Sequence, residues 1–144
     1  MTNVYLIEWI RKAEEDYDAA LALARQRKKS TPNAISFHCQ QCAEKYLKAF
    51  LVQQGVLFPR THDLLELHKL CLPVNPALEL IGDLLDSLNP YAVEFRYPGE
   101  EVNMDEARVA IGAMKEIRHF IRSQLGEIVN EVDQPSSTGG AAGP

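Results

Sequence analysis

Residues 36–51 read SFHCQQCAEKYLKAFL, and Cys39-Gln-Gln-Cys42 is a C-x-x-C with His38 beside it. That spacing suits two chemistries, thiolate coordination of zinc and thiol–disulfide exchange. A structural zinc site takes four ligands, commonly from two paired knuckles, and the chain has no second C-x-x-C. Cys71, His38, His62 and His68 are further ligand types, but none stands at a knuckle spacing. A redox pair belongs at a helix N-terminus, where the dipole lowers the thiol pKa. Cys39 would lie about two turns into its helix, beyond the reach of that effect. On a wheel at about 100° per residue, both cysteines share an arc with Ile35, Ala43, Tyr46, Leu47, Ala49 and Phe50. They read as small buried hydrophobes, and no metal is expected.

The opposite arc holds Gln40, Gln41, Glu44, Lys45 and Lys48, with His38 at its margin. Phe37, Leu51 and Val52 fall among these polar residues. A helix apolar on a second side has a second partner, either another helix or a second subunit. Phe37, Gln41, Glu44 and Leu51 are therefore candidate dimer or partner contacts. Glu44 and Lys48 form an i,i+4 pair, read as a surface salt bridge worth a few tenths of a kcal/mol. The functional alternative has Lys45 and Lys48 facing an anionic ligand.

Three further constellations carry chemistry. Asp16-Tyr17-Asp18 has the D-x-D spacing of a nucleotidyl-transfer metal pair, but the Gly-Ser loop and strand that such chemistry needs are absent. The pair reads as helix surface. His62 suits a structural hydrogen bond or a polar contact to a nucleotide or RNA. Arg96 and Tyr97 suit a phosphate clamp and a base-stacking ring, with Glu94 orienting the arginine. Their structural alternative is a neutralised helix C-terminus and a packed ring. No P-loop or G-x-G-x-x-G occurs, so no cofactor is expected.

The elements that position these residues are helical by apolar periodicity. Leu6, Ile10, Ala13, Tyr17, Ala20 and Ala24 mark a first helix over about 4–27. A basic loop follows, then a second helix capped by Ser30 or Thr31, with Pro32 at its first position and Gly55 as its stop. Thr61 caps a short helix over 62–71. Asn75 and Pro76 open a fourth, carrying Ala77, Ile81, Leu84, Leu88, Ala92 and Phe95 on one face. Pro98-Gly99 marks a turn. Asn103 and Glu106 form a capping box ahead of a last helix with the stripe Ala107, Ala110, Met114, Ile117, Ile121, Leu125 and Ile128. The expectation is an all-α, up-and-down helical bundle of four long helices plus one short one, over residues 1–131. Residues 132–144 are expected to form a disordered tail.

Composition narrows the classes. The 144 residues suit one domain, and 46% hydrophobic with 24% charged is ordinary for a globular chain. Acidic residues outnumber basic ones, 20 to 15, so the domain is not a general polyanion binder. No apolar run approaches the roughly 20 residues that span a bilayer, so no membrane association is expected. No signal peptide is evident at the N-terminus, and three cysteines make no disulfide framework, which points to the cytoplasm.

The motifs taken together resemble the HEPN domain family. The resemblance rests on Trp9, Ala13, Asp16 and Ala20, then on FHCQQCAEKYLKAFL, then on Thr61-His62-Asp63-Leu64, and on Arg96-Tyr97-Pro98. It covers about residues 4–130. It implies an all-α bundle, often a homodimer, and often paired with a minimal nucleotidyltransferase as a toxin–antitoxin-like pair. It also implies binding of a nucleotide such as ATP or GTP, or of RNA. Many relatives are metal-independent RNases using an Arg-x(4–6)-His motif, in which the His handles a proton and the Arg neutralises phosphate charge. Here Arg96 is followed at those spacings by Glu101, Val102 and Asn103, and no other arginine meets a histidine correctly. The resemblance therefore implies a nucleotide- or partner-binding module, with Lys45, Lys48, His62, Arg96 and Tyr97 as ligand contacts and no catalytic residue. The alternative is a HEPN ribonuclease toxin with an unorthodox active site, built from Arg96 and a distant histidine such as His62 or His38.

Overall fold

Asn3 starts the first helix, α1 (Val4–Ala24), by accepting from the Leu6 amide at 3.0 Å. The computed structural model describes residues 3–26 and 31–134. Ser30, the tail from residue 135 and the basic residues 27–29 lie outside them. Pro32 opens α2 (Pro32–Gln53), where its missing N–H is one of the helix's unpaired donors anyway. Thr31 holds the N-cap position but makes no side-chain capping bond.

Gly55 ends α2 as its sequence predicts. Its φ is +72°, which glycine adopts without a Cβ penalty. The Val56 amide then bonds the Leu51 carbonyl at 2.9 Å, and the Gly55 amide bonds Val52 at 3.1 Å. This turn sends residues 55–62 back beside α1 and α2, where they wall a groove. The third helix, α3 (Leu64–Cys71), is capped by Asp63, which accepts from the Leu65 amide at 2.9 Å. Thr61 acts one step earlier, accepting from the Asp63 amide at 3.1 Å.

The expected fourth long helix is divided. Asn75 caps a 3-10 turn (Pro76–Ile81), followed by α4 (Gly82–Leu88) and a second 3-10 turn (Asn89–Tyr91). Pro90 has no N–H to continue the ladder. Gly82 lies where a Cβ would stand 3.3 Å from His68 Cε1, so its absence lets α4 approach α3 closely. Ala92 and Phe95 fall beyond the break, and Phe95 is 67% exposed. The last long helix, α5 (Met104–Leu125), opens with the full Asn103–Glu106 capping box. Gly126, at φ +80°, ends it, so Ile128 belongs to a short α6 (Ile128–Asp133) rather than to the α5 stripe.

The result is the all-helical bundle expected, with long helices of 21, 22 and 22 residues. α2 is its centre, packed against α1, α3, α4 and α5. Ile10, Ile35, Tyr46, Phe50, Leu51 and Met114 fill the core. The central position explains why Leu51 and Val52 stand on the second side of α2, where neighbours of the same chain cover them, while Phe37 on that side stays half-buried.

Cys39, Cys42 and Cys71 are free and fully buried, in keeping with a packing role. Burial pushes the Cys39 and Cys71 thiols up to about 12 and raises that of Cys42 well above its ordinary value. An aromatic disulfide reagent at neutral pH should therefore find the native thiols unreactive, and all three should react on unfolding. Prompt labelling of the native protein would contradict this placement.

Candidate functional site

The polar arc of α2 is not solvated. Gln40 is fully buried, and Glu44 and Lys48 are 2% and 6% exposed. What the wheel presents as a surface salt bridge is a buried ion pair, at 2.9 Å. The wheel fixes the angle of each side chain; α1 and the 55–62 segment, which it does not contain, supply the cover.

Glu44 organises a groove between α1, α2 and that segment. It accepts from Lys48 Nζ at 2.9 Å, from His62 Nδ1 at 3.0 Å and from Gln41 at 3.3 Å. Gln41 also donates to Gln40 at 2.7 Å, and Gln40 donates to the His62 carbonyl at 2.8 Å. His62 is thus held by main chain and ring together. Because Nδ1 faces a carboxylate, it carries the proton, and Nε2 is left for another partner. The His62 side chain remains 70% exposed.

The aromatic wall is equally defined. Lys48 Nζ lies 5.4 Å from the Trp9 ring centre and 5.8 Å from that of Phe58. Trp9 meets Phe58 edge to face at 6.1 Å, and Tyr5 meets Trp9 likewise at 6.1 Å. The groove encloses about 730 Å³ and is also lined by Val52, Val56, Leu57, Arg60 and His62. Arg60 is exposed and forms no ion pair with the described residues. The site thus offers apolar ring faces on one side and a free guanidinium beside an oriented imidazole on the other.

The five residues expected to contact a ligand occupy three places. Lys48 and His62 share the groove. Lys45 instead donates to Asp16 at 2.6 Å, and His38 Nδ1 donates to the same carboxylate at 2.8 Å. Asp16 is 8% exposed, so the helix-surface reading of the Asp16–Asp18 pair fails for Asp16 and holds for the exposed Asp18. Arg96 donates to the Pro90 carbonyl at 2.8 Å, with its guanidinium 5.5 Å from the Tyr91 ring centre. That carbonyl belongs to the terminal 3-10 turn, the helix-end role read as its structural alternative. Arg96 also lines a separate hollow of about 660 Å³ with residues 31–34, Glu94 and Phe95. Tyr97 is 66% exposed and packs edge to face on Phe95 at 5.2 Å. Of the candidate partner contacts, Phe37 and Gln41 are half-buried, whereas Glu44 and Leu51 are buried.

A second cluster goes unseen in the sequence. Arg118 grips Glu14 with two bonds of 2.7 and 2.8 Å, and Tyr46 donates to the same carboxylate. Arg122 donates to the Tyr46 oxygen at 3.1 Å and pairs with Asp133 of α6. This cluster ties α1, α2, α5 and α6 together. Burial alone would raise the Glu14 pKa. Hydrogen bonds from Arg118 and Tyr46, with the charges of Arg118 and Arg122, outweigh it and hold the pKa below 4.5. A depressed folded pKa means stability that is complete above 4.5 and lost as pH falls through the folded value. Denaturant titrations should show stability declining below pH 4.5, and Glu14→Gln should flatten that decline. An unchanged acid profile in the variant would remove Glu14 from this role.

Among the described residues no group of three His, Cys, Asp or Glu side chains could hold a metal ion. No helix of the described residues is long and apolar enough to cross a membrane. A family model describing the HEPN domain matches residues 7–124. A Methanocaldococcus jannaschii protein named "Putative toxin" is 38% identical over 52 residues, which is 36% of this chain and 32% of that protein. The match thus spans about a third of that relative's length. No solved structure matches the chain. The family match runs through most of α1, α2–α4 and almost all of α5, the frame that carries Trp9, Lys48, Phe58, Arg60 and His62 of the groove and Glu14, Tyr46, Arg118 and Arg122 of the second cluster. The chain belongs to the HEPN domain family.

Proposed function

We propose that this HEPN domain is the toxin-like member of a toxin–antitoxin-like pair and that it binds a nucleotide in the Trp9–Lys48–Phe58–Arg60–His62 groove. The observation that carries the reading is the groove itself, where ring faces for a base and the Arg60 guanidinium for a phosphate stand together. The similarity to a protein named as a toxin supports the pairing. The module acts in the cytoplasm, and the half-buried Phe37 and Gln41 are its contacts to a second copy or to a minimal nucleotidyltransferase.

Binding is favoured over RNA cleavage by what replaces the family's histidine. Val102 is 6% exposed and its amide bonds Asn33 Oδ1 at 2.8 Å. Asn103 caps α5. Two of the three positions where a catalytic His is sought therefore do structural work, and Glu101 would repel phosphate. Arg96 and His62 line different hollows, which gives no support to an active site built from those two.

Calorimetry with ATP and GTP tests the proposal. Arg60→Ala is expected to weaken binding about tenfold, the cost of one charge-assisted contact. Arg96→Ala should leave it unchanged. Loss on Arg96→Ala alone would move the seat to the other hollow, and no heat with either nucleotide would sink the reading.

A further inference from the structure

The cations of the groove are few, and their pairing limits what they hold. Lys48 is 6% exposed and its charge is offset by Glu44 at 2.9 Å, with two ring faces beside it. Lys12 lines a neighbouring hollow with Tyr5, Glu8 and Trp9 rather than the groove. That leaves Arg60 as the one unpaired permanent cation lining the groove among the described residues. His62 spends its Nδ1 proton on Glu44, and that carboxylate, 3.0 Å away, offsets the ring as it offsets Lys48. The remaining ring nitrogen, Nε2, suits a ligand hydroxyl.

Resting on the nucleotide reading above, we propose that the groove is specific for a nucleoside monophosphate. Arg60 takes the single phosphate as a planar fork, His62 Nε2 bonds a sugar hydroxyl, and the base lies against Trp9 and Phe58. The additional phosphates of a triphosphate meet no unpaired cation lining the groove and extend into solvent. They add at most long-range attraction, which salt screens.

Calorimetry at about 0.15 M salt with AMP, ATP, adenosine and inorganic phosphate tests this directly. AMP should bind about tenfold tighter than adenosine, as one charge-assisted contact predicts. ATP should fall within about threefold of AMP, and phosphate alone should bind weakest. Arg60→Ala should weaken AMP about tenfold and leave adenosine unchanged. Arg60→Lys should recover only part of the loss, because a point charge does not reproduce the fork. ATP tighter than AMP by tenfold or more would overturn the monophosphate assignment while leaving the nucleotide reading standing. Equal binding of AMP and adenosine would overturn the role of Arg60. Silence from all four would overturn the nucleotide reading itself.

Discussion

Glu44→Gln is expected to destabilise the protein by about 3 kcal/mol, because it leaves the Lys48 ammonium buried without a counter-charge. The side chains are 3% and 8% exposed, so water repays little of the loss. The same carboxylate holds His62, so the variant should also free that ring. A surface i,i+4 pair would cost only a few tenths of a kcal/mol, an order of magnitude less. Denaturant unfolding separates the two. The double variant Glu44→Gln, Lys48→Met should recover most of the stability, since it removes the orphaned charge along with its partner. Equal cost in the single and double variants would show that packing, not charge, sets the effect.

Leu51→Ala is expected to cost about 2–5 kcal/mol with no change in oligomeric state. Leu51 is fully buried among the core residues, and its carbonyl also receives the Val56 amide that closes the α2 cap. The truncation opens a cavity next to the turn that sets residues 55–62. Thermal unfolding and light scattering at matched concentration check both halves. A cost below about 1 kcal/mol together with a change in molar mass would place Leu51 at a subunit interface instead.

The parts of the fold that were legible in the sequence are those written in adjacent residues. Pro32, Gly55, Asn75 and the Asn103–Glu106 box each act within a few positions, and each acts in the structure as its type requires. The fourth helix differs from its sequence expectation because its apolar spacing continues through Gly82 and Pro90, where the backbone breaks. Periodicity records which face is apolar, not whether the ladder survives. The cysteines were legible for the opposite reason: a core arc is visible on the wheel of one helix.

The candidate groove is half legible in the sequence. Of the five ligand contacts expected from the sequence, Lys48 and His62 meet in one groove through Glu44, whereas Lys45, Arg96 and Tyr97 lie elsewhere. Trp9, Phe58 and Arg60 complete it from a different helix and from the segment after Gly55. No spacing rule links residue 9 to residue 58, because tertiary packing alone brings them together. The run Val56-Leu57-Phe58-Pro59-Arg60 carried a usable signal, an apolar and aromatic stretch outside any helix that ends on a cation. Glu14, Arg118 and Arg122 offered none, since 104 positions separate the bidentate pair.

The measurement that bears most directly on the groove is a two-dimensional NMR titration of isotope-labelled protein with AMP. Shifts concentrated on the Trp9 indole, Phe58, Arg60 and the His62 ring, saturating together, are the predicted result. Shifts confined to Arg96, Tyr97 and residues 31–34, with the groove silent, would contradict it.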